Sequence, residues 1–498
     1  MAVVGPLDAL FLFSESLAQP VHVGGLLLFE LPADAGPDYV GGLYRDMLRE
    51  QPIHPLFGRR ISNRPTDLGY WSWVPDDAVE LEHHVQLSVL ARPGRIRDLL
   101  EVTSAIQGRR LDPHRPLWEL HLIDGVEGGR FAIYIKVHHA MMDGVTALRW
   151  MEATLATDPS RTDMPGPYAL PEQLAPRVPS LAASARAARD EGSRTQASSG
   201  SSASPHDSPG PTASTSHGLW PINLLTAAGR TGAEVSRVVG DLAGQSPLAL
   251  RSGVNAVRGD QHAMAFRAPR TILNGPVTTA RRFAAQSWPM QRLDAVRAST
   301  GATINDVMLA MCAGALRNYL VEQDALPGKA LTAMVPVSLR TALDAGAGNS
   351  LATLLCDLAT DERDPVVRLQ RVRDSMARGK ALLSRLSPVQ NLMLGALGLG
   401  AAGIVGVLPG VPGRTPPPYN LVISNVPGPV NTSLYWNRSK LLALYPASVV
   451  VNGQALNITV TSYDRGLHFG LMGCPDNVPH LQRLLIHLEA SLVELESL

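Results

Sequence analysis

Two adjacent histidines, His138 and His139, are followed at fixed spacing by Asp143 and Gly144, and these residues are the ones best suited to chemistry. Neutral imidazole titrates near physiological pH, so it can take a proton from a hydroxyl and later return it. A carboxylate four residues on can fix the ring's tautomer or brace the turn. Gly144 permits a backbone angle that other residues resist. The plainer reading is a buried histidine beside an Asp-Gly turn. A metal site lacks an obvious third ligand and the histidine spacing of a zinc helix, so no metal is expected.

The flanking pattern says what must hold these side chains. Phe131, Ile133, Ile135 and Val137 alternate with Ala132, Tyr134 and Lys136, which predicts a strand with one buried face. His139 continues the parity of Val137 and is expected to point inward, with His138 on the opposite face. Beyond Gly144, Val145, Leu148, Met151 and Leu155 fall at helical spacing. The histidines therefore stand at a strand end, in the turn before a helix, where a rigid element fixes a side chain that stays accessible.

His138-His139-x-x-x-Asp143-Gly144 resembles the signature of the CoA-dependent acyltransferase superfamily. Other segments resemble one branch of it, the bacterial wax ester synthase/diacylglycerol acyltransferases. They are Pro116-Leu117-Trp118-Glu119, Asn305-Asp306, Ser424-Asn425-Val426-Pro427-Gly428-Pro429 and the opening Pro6-Leu7-Asp8. The resemblance spans nearly the whole chain except the region around 160–260. It implies an α/β fold of two chloramphenicol-acetyltransferase-like domains, each a mixed sheet with helices, and an active site at their interface. It also implies transfer of a long-chain acyl group from acyl-CoA to a lipid hydroxyl: diacylglycerol to triacylglycerol, or fatty alcohol to wax ester. His139 would be the base, and Asp143 would mainly hold the site's shape. No serine or cysteine nucleophile stands beside the motif, so direct transfer in a ternary complex is expected. Acyl-CoA is then a co-substrate and no resident cofactor is expected. Asn305 has two readings, a helix cap or a donor to the developing oxyanion. Two alternatives stay open: a condensation-type enzyme using carrier-bound acyl groups, and a non-catalytic lipid-binding relative.

The rest of the chain sets the frame. Its 498 residues exceed one ordinary core. The shift in character from about Pro159 and the return of strands near Ala265 divide the chain into an N-terminal domain over 1–160, a linker or insert over 161–264 and a C-terminal domain over 265–498, the two domains the resemblance implies. Residues 190–217 are dominated by Ser, Ala, Thr, Gly and Pro, which bury too little apolar surface to order themselves. Residues 219–250 regain helical spacing. Lys plus Arg and Asp plus Glu number 44 each, so no net charge points to nucleic acid. Cys312, Cys356 and Cys474 are scattered in apolar surroundings and read as buried thiols of a reducing compartment. His83-His84 lacks a following Asp-Gly and reads as surface or packing. The basic helix expected over Val366 to Leu386 reads as a solvated face, with a CoA phosphate as the alternative.

The N-terminal apolar piece is short and has Asp8 and Glu15 beside it, so it is no export signal. Leu392 to Val411 carries no charge but many glycines and reads as buried or interfacial rather than spanning. A cytoplasmic protein follows, with peripheral contact to the inner face of the plasma membrane or to lipid droplets left open.

Overall fold

The computed structural model describes residues 2–49, 52–62, 71–172, 268–338, 351–385 and 416–498. The expectations for 190–217, 219–250 and 392–411 lie outside them. In chain order the first half carries β1 (Ala2–Val3), α1 (Pro6–Ser14), β2 (His22–Glu30), α2 (Tyr39–Met47), β3 (Arg59–Ser62), β4 (Ser72–Pro75) and α3 (Leu81–His84). It continues with β5 (Val85–Val89), α4 (Ile96–Gly108), β6 (Trp118–Val126), β7 (Arg130–His138) and α5 (Gly144–Ala153). The second half carries β8 (Arg282–Pro289), α6 (Met290–Thr300), α7 (Ile304–Glu322), β9 (Thr332–Ser338), β10 (Leu351–Asp357) and α8 (Pro365–Leu383). It closes with β11 (Leu421–Val426), β12 (Tyr435–Trp436), β13 (Ser439–Ala447), β14 (Leu456–Tyr463), β15 (Gly466–Gly473) and α9 (Arg483–Glu496).

Two six-stranded mixed sheets organise the chain. One runs β12-β13-β2-β7-β6-β5 and the other β10-β9-β11-β14-β15-β8. In the first only β5 and β6 are parallel; in the second β11 lies parallel to both β9 and β14. A small third sheet joins β1, β4 and β3. The fold is thus the expected α/β pair of mixed sheets with helices. The second half lends β12 and β13 to the first sheet, where β13 pairs antiparallel with β2.

The strand carrying the histidines differs from expectation in one respect. Both faces of β7 are buried, not one. Phe131, Ile133, Ile135 and Val137 pack into the core of the first unit. Ala132 and Tyr134 pack with Phe283, Met472 and Ala447 of the second half, in the seam between the units. The alternation of side chains set parity correctly, but a strand inside a two-layer joint has no solvent face.

The hairpin that leads into β7 turns at Gly128 and Gly129, with φ of +78° and +67°. Two successive positive φ angles suit a tight hairpin turn and favour glycine. In the second unit α7 is buried almost all round, as a central helix flanked by other elements must be.

Lys136 is fully buried on the face of β7 that meets α4. Its ammonium donates to the carbonyls of Ile106 and Arg109, each at 3.1 Å, and lies 2.9 Å from Glu119 Oε2. Both carbonyls lie at the C-terminal end of α4, where the helix dipole is negative; Ile106 O also accepts the Arg109 N–H at 3.2 Å. Nearby, Gln107 Nε2 donates to His22 O at 2.9 Å, and Tyr134 Oη donates to Gln107 Oε1 at 2.6 Å. The end of α4 is thereby tied to β2, β6 and β7, the strands that hold the histidine turn.

Candidate active site

The turn is built from short-range bonds. His22 faces His138 in the register of β2 and β7. The next residue, His139, donates its backbone N–H to Val21 O at 3.0 Å. Leu117 O accepts from His138 N at 3.0 Å, which sets the Pro116-Leu117-Trp118 element beside the motif. Trp118 is fully buried, donates Nε1–H to Phe57 O at 2.9 Å and stacks on His84. His84 is accordingly a packing residue, as expected.

His139 is half-buried. Its imidazole stacks on Phe11 of α1, ring centres 4.1 Å apart and planes inclined by 27°. Nδ1 is buried and unbonded. Burial holds the ring's pKa below its ordinary value; the Asp143 charge and the residue's own carbonyl oppose this without reversing it. Burial thus favours the neutral form of the ring.

His138 points to the opposite face, as parity predicted, and is fully buried. Its Nδ1 accepts the Ala140 N–H at 3.0 Å, which leaves the proton of the neutral ring on Nε2. That atom stands 3.6 Å from Glu15 Oε1. His22 Nε2 lies 3.1 Å from the same oxygen, and burial pushes His22 down to about 4. Arg110 Nε donates to Glu15 Oε2 at 2.7 Å. Burial alone would raise Glu15, but the nearness of the two histidines outweighs it and keeps the carboxylate ionised well below its usual range. This convergence is not a metal cage: among the described residues no three His, Cys, Asp or Glu side chains are placed to hold an ion.

Asp143 is the N-cap of α5, its carboxylate accepting the Thr146 N–H at 2.7 Å. That contact satisfies a helix N–H that has no partner within the helix. Gly144 is the first helical residue, yet it takes no positive φ, and a Cβ there would meet nothing within 4 Å. The expected special backbone angle is therefore absent, because the helix begins with ordinary dihedrals; nothing in the structure explains the glycine. Asp8, one turn before Phe11 on α1, is pushed up to about 6 by burial, Arg59 opposing and the Asp143 charge adding.

Asn305 is half-buried in the first turn of α7. It is not the cap. Thr303 caps the helix, with Thr303 Oγ1 accepting from Asp306 N at 3.2 Å and Asp306 Oδ2 accepting from Thr303 N at 3.0 Å. No hydrogen bond or ring contact joins Asn305 to the histidine turn among the described residues. At Gly428, a Cβ would meet Ser462 O at 2.4 Å and Glu152 Oε1 of α5 at 3.4 Å. The helix that follows the histidines therefore meets the Ser424–Pro429 segment where the two units touch. On α8, Arg371 pairs with Asp357 and Asp361, Arg368 with Glu494, and Arg373 donates to Thr300 O. Those three guanidiniums are engaged within the protein.

Sequence reasoning missed Phe11, Glu15, Val21 and His22. Glu15 served there only as an argument against an export signal. A single signal was available: a carboxylate ends an apolar helix a few residues before Val21 and His22, which enter a strand.

Comparison with known proteins shows the family. Residues 4–308 match the wax ester synthase/diacylglycerol acyltransferase catalytic domain, and residues 347–496 match the WS/DGAT C-terminal domain. The chain is 41% identical over 497 residues to the probable diacylglycerol O-acyltransferase tgs2 of Mycobacterium tuberculosis, covering 100% of this chain and 99% of the relative. It is 36% identical to the O-acyltransferase WSD of Acinetobacter baylyi, over 99% of this chain and 96% of that protein. The solved wax ester synthase/diacylglycerol acyltransferase of Marinobacter aquaeolei VT8 superposes with a TM-score of 0.75 at 36% identity, covering 100% and 99% of the two chains. A condensation domain of the CDA synthetase shares the fold alone, with a TM-score of 0.53 and 16% identity over 99% and 95% of the chains. The chain belongs to the wax ester synthase/diacylglycerol acyltransferase family.

Proposed function

We propose that this O-acyltransferase moves a long-chain acyl group from acyl-CoA to the hydroxyl of diacylglycerol, with His139 as the general base. The observation that carries the assignment is a half-buried imidazole, kept neutral by burial, at a rigid strand end. Nδ1 is closed off, so the substrate hydroxyl meets Nε2. Nε2 takes the hydroxyl proton as the oxygen attacks the thioester carbonyl. The tetrahedral intermediate collapses, the C–S bond breaks, and the imidazolium returns the proton to the departing thiolate. The products are triacylglycerol and free CoA.

Direct transfer is favoured because the chain's thiols are poor nucleophiles. Cys312, Cys356 and Cys474 are all buried. Burial raises the Cys312 thiol and pushes Cys356 up to about 12, and the thiolate is the reactive form. Asn305 remains our candidate for the oxyanion donor, on its position in the first turn of α7. The chemistry uses acyl-CoA as co-substrate and asks for no resident cofactor. Fatty alcohol fits the same hydroxyl chemistry and would give wax ester.

Among the described residues no helix is long and apolar enough to cross a membrane. Diacylglycerol resides in bilayers, so the enzyme would draw its acceptor from the cytoplasmic face of a membrane or from a droplet surface. The test supplies purified protein with labelled palmitoyl-CoA and each acceptor separately, measuring ester formed and CoA released. Triacylglycerol is the expected product with diacylglycerol; no ester with any acceptor would sink the reading.

A further inference from the structure

We infer that Glu15 is a positioning residue for His139, an inference that rests on His139 being the base. Glu15 holds the catalytic ring from two directions, one through its carboxylate and one through its place in the chain. On the backbone side, Glu15 Oε1 accepts the Val21 N–H at 3.3 Å, and Val21 O accepts the His139 N–H at 3.0 Å. On the ring side, Glu15 is the C-cap of α1, the helix whose Phe11 stacks on the imidazole. Ser14 Oγ donates to Phe11 O at 3.1 Å and Gln19 Nε2 to Ser14 O at 2.7 Å, which continues the link from Phe11 to the strand entry. One side chain therefore joins the helix against the ring to the strand that holds the ring's backbone.

The surroundings explain why this position carries a carboxylate. Only 6% of the Glu15 side chain is exposed. It accepts from Val21 N–H and Arg110 Nε and lies 3.1 Å from His22 Nε2. A buried anion is stable only when paired and hydrogen-bonded, and this one has donors from β2 and from the segment after α4. An apolar residue here would leave those donors unsatisfied and release α1 from the strands. His138 fits the same arrangement: its Nε2 faces Glu15, so the first histidine of the pair belongs to the anchor and the second to the chemistry.

The test compares Glu15→Gln, which keeps size and reach but loses charge, with Glu15→Asp, which keeps charge but is one methylene shorter. Both are assayed as full-length protein, well below their melting midpoints, with palmitoyl-CoA and diacylglycerol, alongside His139→Ala. A reacting group misplaced by a fraction of an ångström to one ångström loses up to about 100-fold in rate. We expect kcat to fall about 10- to 100-fold in both variants, with KM for either substrate within about threefold of the parent. A purely structural role would lower the amount of active protein or the midpoint without this split. Parent-like kcat in both variants, or a change confined to KM, overturns the inference. If Glu15→Gln does not fold, Glu15→Asp decides by the same two criteria. Turnover retained in His139→Ala removes the base assignment and this inference with it. Loss in His139→Ala beside parent-like Glu15 variants removes the positioning role alone.

Discussion

Replacing Asp143 by asparagine and by alanine separates two effects that the structure joins in one side chain. The first is mechanical. Asp143 caps α5 through its bond to Thr146 N at 2.7 Å. Asparagine caps about as well as aspartate, whereas alanine costs about 1 kcal/mol, or roughly 2 °C in the melting midpoint of a chain this large. The second is electrostatic. The Asp143 charge raises the pKa of His139 against the larger effect of burial. Either substitution removes that charge, so the imidazole loses its proton at a still lower pH. The acid limb of kcat/KM should then move to lower pH in both variants, each unit corresponding to about 1.4 kcal/mol of lost interaction. The assay is CoA release across pH 5 to 8 for parent, Asp143→Asn and Asp143→Ala, with melting curves under the same buffers. An Asp143→Asn protein that melts as low as Asp143→Ala would show that the cap is not what the carboxylate contributes. An acid limb that stays in place, or moves up, would show that its charge does not act on the ring.

Three further outcomes follow from the geometry. His139→Ala should lose about 10²- to 10⁴-fold in kcat at a nearly unchanged midpoint, while His138→Ala should cost about 1–3 kcal/mol of stability by stranding the Ala140 N–H, with a smaller loss of turnover; kcat and midpoint of both variants check this, and near-normal turnover in His139→Ala contradicts it. Lys136→Met should destabilise by about 3–5 kcal/mol, because Glu119, which burial would raise but which His121 and Lys136 bring down to about 2, would be left without its ammonium; a parent-like denaturant midpoint would show that this lysine does not anchor α4. His84 is pushed down to about 4 by burial, so the folded protein stays unprotonated there while the unfolded chain takes a proton near its ordinary pKa of about 6.5. Its contribution is therefore complete above about pH 6.5 and is lost as pH falls toward 4, by about 3 kcal/mol. His22 acts in the same direction. A melting midpoint that stays flat from pH 7 to below 5 would refute this.

What the sequence determines by itself is local. Alternation along Phe131 to Val137 set the parity that sends His138 and His139 to opposite faces, and the structure keeps that parity. The helical spacing after Gly144 placed α5, and Asp143 stands at its start. These features depend on backbone periods of two and 3.6 residues, which any short window displays. The sequence also held the true cap of α7, Thr303 with Asp306 three residues on, although Asn305 drew attention first. Tertiary structure decided everything that depends on which surface a face meets. Lys136 looked like the solvent side of a strand, but it is buried because the carbonyls at the end of α4 lie over it. The pairing of β13 with β2 cannot be read from either segment, since both are simply apolar strands until packed. Glu15 is the sharpest case. Its place at the end of an apolar helix, a few residues before a strand, is the one local mark it carries, and that mark does not show that the side chain is buried. Its role exists only because the end of α1, the entry to β2 and the end of α4 converge, and that convergence keeps a buried charge ionised within reach of the histidine turn.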